Sequence, residues 1–350
     1  MSDYFRRVRK NTCTQFYINN ATREQVLLAL DAGATGCTNN PSFTWKILSN
    51  EAERAYFQPL LDAAIRDNPD DNAAECALQM ALVRDVAALF YPQWKESHGR
   101  YGYVSIQGDP VHEHDAEVIL REGRVHRELS PNVCCKIPVT KAGLTAMEQL
   151  LRENTPINAT EIMSISQGLS VCELYARVYE ETGARPPLFL SFISGILNEY
   201  LRKQFAKGCY DIDPDVLWQA GTAACRKMHR LIQERNDPIV MISGGVRENA
   251  DFTDFVGGNI AVTVNWLGNG SASSLLEADP RVVSLINAPV PDTVLDELRR
   301  KLPEFVRAYD IGALAVDEYA DFGPVDLFRS NFLTAWDKAL AAIAKRRAEM

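Results

Sequence analysis

Hydrophobic and polar residues follow two distinct patterns along the chain. Short apolar, β-rich runs are separated by longer segments in which apolar residues recur every three or four positions, as Leu144, Met147 and Leu151 do. The short runs predict eight strands, at 14–18, 34–37, 101–106, 132–137, 156–158, 187–191, 239–242 and 260–264. The longer segments predict amphipathic helices at 23–30, 73–90, 115–122, 144–151, 161–181 and 215–234.

This alternation of strands and helices predicts an α/β fold. Eight successive strand–helix units close most simply into a parallel TIM (β/α)8 barrel. After the eighth strand the chain is helical again, at 292–309 and 324–348. We therefore predict one domain over residues 1–350, with the barrel at about 12–275 and extra C-terminal helices at about 276–350. The extension would pack across the barrel or enlarge the surface of a homodimer.

Composition and charge narrow the classes of partner. The 350 residues are 46% hydrophobic and 24% charged, as in ordinary globular proteins. A net charge of −9 argues against a basic surface for nucleic acid or anionic membranes. No apolar run reaches the roughly 18 residues that span a bilayer, and the N-terminal residues lack the apolar core of a signal peptide. We expect a cytoplasmic protein with a small-molecule substrate, and no nucleic-acid or membrane partner.

The eight cysteines predict free thiols. They form neither a dense disulfide framework nor a CxxC zinc signature, and a bridge between the adjacent Cys134 and Cys135 would be strained. We expect most of them to be small buried side chains.

A lysine near the end of the fourth strand is the main candidate for chemistry. The segment 132–140, NVCCKIPVT, carries Lys136 and breaks at Pro138, and period-two alternation places Lys136 and Cys134 on one face. Inside a barrel rim, loss of hydration lowers the pKa of a lysine and leaves an amine that forms a Schiff base with a carbonyl. On composition alone, a lysine that extends to solvent is the commoner arrangement.

Further motifs occur at the ends of other predicted strands. They are CTNNPSF at 37–43, VSIQ at 104–107, KIPVTKAGL at 136–144, NAT at 158–160 and SQG at 166–168. In their order and spacing these motifs resemble those of transaldolases, and the segments 190–191 and 240–247 look like weaker versions of the later motifs. The resemblance covers nearly the whole chain, including C-terminal helices similar to those of the longer bacterial transaldolases.

The resemblance implies a class I aldolase-type barrel without a metal or other cofactor. Lys136 would form the Schiff base and carry a dihydroxyacetone unit from a ketose to an aldose, as with the sugar phosphates of the pentose phosphate pathway. Small polar residues at the strand ends would hydrogen-bond the bound ketose and the catalytic water: Thr38, Asn40, Asn158, Thr160 and Ser191.

Two positions depart from the family in their acid–base chemistry. Asn19 matches the aspartate that ends the family's first strand, and Gln107 matches its glutamate, which the related fructose 6-phosphate aldolases also replace by glutamine. An amide does not accept a proton at neutral pH. The candidate replacements are Asp109, which we favour because the third strand ends at the catalytic rim, and Glu161, which equally suits the first turn of a helix. Tyr17 is a third candidate, but it lies one layer below Asn19, where a side chain more commonly fills the core. A simpler alternative is that the substrate shuttles the proton itself.

Phosphate recognition also departs from the family. Ile196 stands where transaldolases carry an arginine after the sixth strand, while Arg247 remains in the sequence ISGGVR at 242–247. Its glycine pair lets backbone N–H groups approach an anion. The pattern fits either a sugar phosphate or a substrate with less charge.

Several functions therefore stay open. The leading one is a transaldolase-like Schiff-base enzyme with Lys136 as nucleophile, and an aldolase acting on a different hydroxyketone is its close alternative. A catalytically silent barrel that binds a sugar phosphate or a partner protein is the second. A metal-dependent hydrolase using His112 and His114 is disfavoured, because residues two apart at a helix start do not share a face.

Overall fold

Eight parallel strands form a closed barrel in the computed structural model, which describes residues 2–350. The strands are β1 (Gln15–Asn19), β2 (Gly36–Asn39), β3 (Tyr103–Gln107), β4 (Val133–Pro138), β5 (Ile157–Ile162), β6 (Leu188–Phe192), β7 (Ile239–Ser243) and β8 (Ile260–Val264). They lie in chain order around the barrel, and β1 pairs with β8 to close it. The predicted TIM barrel is confirmed.

Helices surround the barrel and follow it. They are α1 (Tyr4–Asn11), α2 (Arg23–Ala32), α3 (Phe43–Leu48), α4 (Arg54–Asp67), α5 (Asp71–Glu96), α6 (Ala116–His126), α7 (Lys141–Arg152), α8 (Ile165–Thr182), α9 (Ser194–Ala206), α10 (Pro214–Leu217), α11 (Gln219–Arg235), α12 (Ala250–Thr253), α13 (Ala272–Ala278), α14 (Asp292–Lys301), α15 (Pro303–Tyr309) and α16 (Gly323–Glu349). Short 3-10 helices lie at Glu51–Glu53 and Val316–Glu318. None of these helices is long and apolar enough to cross a membrane.

Two of the differences between the predicted elements and the structure have a clear local cause. The helix expected to begin at Glu161 begins at Ile165, where Ser164 and Gln167 form a capping box, and Glu161 belongs to β5. The helical segment 292–309 is divided at Leu302, because the residue before a proline disfavours helical backbone and Pro303 follows it.

The last helix packs across the barrel, which is one of the two arrangements that the sequence predicts. α16 contacts α3, α4, α5 and α9 and reaches β5. Trp336 is fully buried, and its indole Nε1 donates to Asn72 Oδ1 on α5 at 2.7 Å. The C-terminal helix thereby joins the wall of the barrel mouth.

The cysteines are unpaired, as expected. The buried thiols are those of Cys37, Cys134, Cys135, Cys172 and Cys225. Cys76 is half-buried, while Cys13 and Cys209 are exposed.

A compact aromatic layer fills the lower interior of the barrel. Tyr17, Tyr103 and Phe189 pack together, with ring centroids 5.3 Å apart for Tyr103 and Phe189. Cys134 belongs to the same cluster, so Lys136, two residues further along β4, lies one layer nearer the C-terminal rim. Gly36 on β2 makes room for this layer, since a Cβ atom there would lie 2.4 Å from a ring carbon of Tyr17.

We predict that Gly36→Ala destabilises the fold by about 1–3 kcal/mol through overpacking against Tyr17. Urea unfolding of Gly36→Ala, Tyr17→Leu and the double variant measures this. The double variant should lose less stability than the sum of the single losses, because the smaller side chain makes room for the methyl group. If the stability losses of the two single variants simply add in the double variant, the close packing of Gly36 against Tyr17 is contradicted.

Candidate active site

A cavity of about 240 Å³ opens at the C-terminal ends of the strands. This is the edge at which barrel enzymes carry their catalytic groups. Its lining comes from six strand ends with their following loops and from two helices, and it includes Asn19, Asn20, Thr38, Asn40, Ser42, Lys136, Ser191, Ile193, Ile196, Arg247, Thr263, Asn265, Phe328, Asn331 and Phe332. Lys136 is the one lysine among the residues that line this cavity.

Lys136 is a buried amine without a partner. The residue is 6% exposed, and its Nζ makes no hydrogen bond or ion pair with any residue of the described chain. Burial lowers the pKa of Lys136, and the negative charge of Glu161 opposes that shift in part. Because burial is the larger effect, the amine loses its proton more readily than a surface lysine does.

Strand register places polar groups on both sides of this lysine. Gln107 on β3 and Asn158 on β5 are the direct neighbours of Lys136 across the sheet. β4 ends two residues later at Pro138, whose ring removes a ladder donor. Lys136 is thereby held at the rim between two amides.

Glu161 reaches this site through an irregularity in β5. The register of β5 against β6 shifts between Ala159 and Ile162, and Glu161 has a left-handed backbone with φ of 59°. Such bulges re-aim side chains beside active sites. The buried Glu161 Oε1 accepts a hydrogen bond from Gln107 Nε2 at 2.6 Å, while Oε2 has no partner in the described chain. Burial raises the pKa of Glu161, against the hydrogen bond from Gln107 and the charge of Lys136.

Asp109, the candidate acid–base group that the sequence favours, forms hydrogen bonds away from Lys136. Its carboxylate accepts hydrogen bonds from Asn72 Nδ2 and the Val111 amide, both at 2.7 Å, and lies 2.6 Å from His112 Nδ1. It does not line the cavity. These three contacts hold the start of the loop after β3 and occupy most of the lone-pair sites of the carboxylate. Of the two candidates, Glu161 is the one whose charge acts on Lys136.

Asn19 belongs to a neutral hydrogen-bond network. Its Oδ1 accepts from Thr38 Oγ1 at 3.0 Å, and its Nδ2 donates to Asn265 Oδ1 at 3.0 Å. Thr38 also shares a 2.7 Å hydrogen bond with Thr263 Oγ1. As an amide, Asn19 donates one of these hydrogen bonds and accepts the other.

The other small polar residues divide into two groups. Asn40 and Ser191 line the cavity; Asn40 Oδ1 accepts from Asn20 Nδ2 at 2.8 Å, and Ser191 Oγ donates to Asn158 Oδ1 at 2.7 Å. Asn158 and Thr160 are fully buried and lie beneath the lining. The Thr160 hydroxyl has no partner in the described chain. The sequence did not single out Asn265 as a site residue, although it is a polar residue directly after a strand.

Arg247 lines the cavity but is paired. Its Nη2 donates to Glu199 Oε2 at 2.8 Å, and its Nη1 donates to the carbonyls of Gly245 and Val246. Ile193 and Ile196 form an apolar wall on the same side. A phosphate here would compete with Glu199 for the guanidinium group.

The far C-terminal helix supplies residues that sequence reasoning missed. Phe328, Asn331 and Phe332 of α16 line the cavity. Arg329 on the same helix forms a 3.0 Å ion pair with the buried Glu113, which follows β3. No motif marks these residues, because their position depends on how α16 docks.

The two histidines of the hydrolase alternative do not form a metal site with other ligands. His112 pairs with Asp109, and His114 is exposed. Over residues 2–350, no group of three or more His, Cys, Asp or Glu side chains could hold a metal ion.

Comparison with known proteins identifies the family. A family model described as Transaldolase/Fructose-6-phosphate aldolase matches residues 16–265. The chain belongs to this family. The matched transaldolase/fructose-6-phosphate aldolase segment contains nearly the whole barrel and leaves α13 to α16 outside it.

Individual relatives are similar at modest identity. The chain is 27% identical to Transaldolase 2 of Nostoc sp. over 197 residues, which are 53% of this chain and 51% of the relative. It is 36% identical to Transaldolase 1 of Streptomyces avermitilis over 152 residues, 43% and 39% of the two chains. It is 34% identical to the transaldolase of Mycobacterium tuberculosis over 142 residues, 40% and 37% of the two chains. The chain thus spans about half or less of the length of these transaldolases.

We predict that the Lys136 amine titrates at a lower pH than Lys141, which is exposed and whose pKa the Asp317 carboxylate raises. Reductive methylation at a series of pH values, with mass spectrometry of both peptides, measures the two midpoints in one sample. Burial disfavours the charged amine, so Lys136 should gain reactivity first as the pH rises. If Lys136 reached half of its full reactivity at the same pH as Lys141 or at a higher pH, the result would contradict a lowered pKa of the buried amine.

Proposed function

We propose that this chain is a Schiff-base transaldolase or aldolase, in which Lys136 cleaves or transfers a dihydroxyacetone-type unit between ketose and aldose substrates. The observation that carries the proposal is the buried, unpartnered Lys136 amine at a cavity of about 240 Å³ in the barrel mouth. Such a cavity, lined by neutral amides and hydroxyls, suits a short polyhydroxylated carbon chain. Membership of the transaldolase/fructose-6-phosphate aldolase family supports this chemistry.

The reaction begins when the neutral Nζ attacks the ketone carbon of the donor. Loss of one water, together with a proton from the general acid, gives an imine that is protonated on nitrogen. Removal of the proton from the hydroxyl on the leaving carbon breaks the adjacent carbon–carbon bond, releases an aldehyde and leaves the electron pair in an enamine. The enamine then bonds to the carbonyl carbon of an acceptor aldose or takes up a proton. One water hydrolyses the imine and restores Lys136.

Glu161 is the group that we assign to the proton transfers. It is a carboxyl group whose charge acts on Lys136, and burial moves its pKa toward neutrality, where a general acid–base group works best. Because Glu161 does not line the cavity, it would exchange protons with the Lys136 adduct through a water. Asn19 and Thr38 would orient the substrate hydroxyls by hydrogen bonding.

A second candidate, an aldolase for an uncharged hydroxyketone, is favoured by the cavity wall. Ile196 occupies the place of the family's arginine, and Arg247 is already paired with Glu199. A dianionic phosphate would find one cation here, shared with a carboxylate. Hydroxyl recognition by the amide network needs no phosphate at all.

The proposed function predicts a covalent adduct on Lys136. We expect borohydride to trap an adduct with dihydroxyacetone, and peptide mass mapping to locate it on Lys136, since imine formation needs the neutral amine. Lys136→Met should abolish the adduct. A panel with fructose 6-phosphate and fructose distinguishes the phosphorylated donor from the uncharged one.

The same trapping experiment can also contradict the proposed function. An adduct on other lysines, or none on Lys136 with any ketose of the panel, would favour a silent binding barrel. Isothermal titration of the unreacted protein with fructose 6-phosphate would then detect simple binding.

A second prediction concerns the base. Glu161→Gln keeps the hydrogen-bonding shape but removes the proton acceptor, so turnover of the trapped ketose should fall by about 100- to 10,000-fold. Asp109→Asn is the matched control, with an expected loss below about tenfold, because the Asp109 carboxylate is held by Asn72, Val111 and His112 and its charge does not act on Lys136. The reverse ranking of the two variants would assign the base to Asp109.

A further inference from the structure

The buried Glu113 and the partly exposed Arg329 form an ion pair next to the site, and the proposed chemistry does not use it. Glu113 lies in the loop after β3, and Arg329 lies on α16. Arg329 Nε is 3.0 Å from Glu113 Oε1, and the Glu113 side chain is only 7% exposed. The second oxygen, Oε2, is buried without a partner in the described chain. Arg329 Nε is likewise without a hydrogen bond in the described chain, so the two groups interact as charges. Buried polar groups without hydrogen bonds are rare and call for a physical explanation.

Charged groups from several elements influence the Glu113–Arg329 pair and Glu161. Burial raises the pKa of Glu113, the charges of Glu161 and Asp109 raise it further, and Arg329 opposes them. Arg329 also lowers the pKa of Glu161, as Lys136 does from β4. The helix that carries Arg329, α16, contacts β5, the strand that carries Glu161. Two carboxyl groups thus share the interior with two cations, and only one of those cations, Arg329, is always charged.

The same helix holds the loop at a second point. Trp336 Nε1 of α16 donates to Asn72 Oδ1, and Asn72 Nδ2 donates to Asp109 Oδ2, both at 2.7 Å. Asp109 begins the loop that carries Glu113. The position of Arg329 beside Glu113 is therefore fixed by the packing of α16 and not only by the conformation of the arginine side chain.

We propose that Arg329 and Glu113 are positioning residues that set the ionisation of Glu161, so that docking of the C-terminal helix tunes proton transfer at Lys136. The inference rests on the proposed function for its catalytic consequence, but its electrostatic part stands without a substrate. Removing the Arg329 charge leaves Glu161 beside Glu113 with Lys136 as the remaining neighbouring cation. Glu161 then binds its proton more tightly.

The experiment measures Glu161 directly in the full chain. Protein labelled with 13C at the glutamate side-chain carboxyl is titrated by NMR, and the Glu161 signal is identified by its loss in Glu161→Gln. In Arg329→Met the Glu161 midpoint should rise by about one pH unit, because an opposite charge has been removed from a buried carboxyl. Arg329→Lys should restore most of the wild-type midpoint.

Arg346→Met is the matched control on the same helix. Arg346 has the same 30% side-chain exposure as Arg329 and pairs with Asp62 on α4 at 2.8 Å, outside the cavity lining. Its loss should leave the Glu161 midpoint unchanged. Arg329→Gln, which keeps a hydrogen-bond donor, replaces Arg329→Met if the latter does not fold.

Activity supplies the second readout. With the ketose that labels Lys136, the acidic limb of the turnover–pH profile should move upward in Arg329→Met by the same amount as the NMR midpoint, and turnover should recover at high pH. An unmoved Glu161 midpoint, or an equal loss of turnover at every pH, would overturn the inference. A shifted midpoint in a chain that forms no Lys136 adduct would uphold the electrostatic coupling and reject the proposed function.

Discussion

The cost of burying the charge of Lys136 governs the arrangement of the barrel mouth. Moving an ammonium group out of water costs several kcal/mol unless a partner compensates. Here the compensation is incomplete, since Lys136 makes no hydrogen bond with the described residues and Glu161 acts on it only as a nearby charge. The amide of Gln107 contributes to this balance. A carboxylate at that position as well would place two negative charges beside the lysine and favour its protonated form.

The cavity above the lysine is asymmetric in its chemistry. One side consists of neutral groups that already hydrogen-bond one another, among them Asn19, Thr38 and Asn265. The other side carries the apolar groups Ile196 from α9 and Phe332 from α16, with the paired Arg247 beside Ile196. Neutral donors and acceptors need less reorganisation than ion pairs, so such a wall suits the hydroxyl groups of the substrate that we propose. The carboxyl group of Glu161 lies outside this lining.

Much of this architecture was predictable from local patterns. The eight strands occur close to the predicted ranges, and Lys136 lies at the rim, because period-two alternation and Pro138 are local signals. Glu161 was assigned to a helix start, since an acid shortly after a strand commonly occupies that place. The bulge in β5 moved it into the strand and toward Gln107. Asn72 and His112 engage the carboxylate of Asp109, and no local pattern in the sequence indicates these contacts.

The sequence by itself determined the fold class, the lysine and the family, because these depend on periodicity and on motifs of neighbouring residues. The tertiary structure alone decided which carboxyl group acts on that lysine and what surrounds it. Arg329 and Glu113 lie on segments far apart in the chain, and only the docking of α16 over the loop after β3 brings them to 3.0 Å. The physical reason is that burial, and with it every shifted pKa in this site, arises from contacts between distant segments.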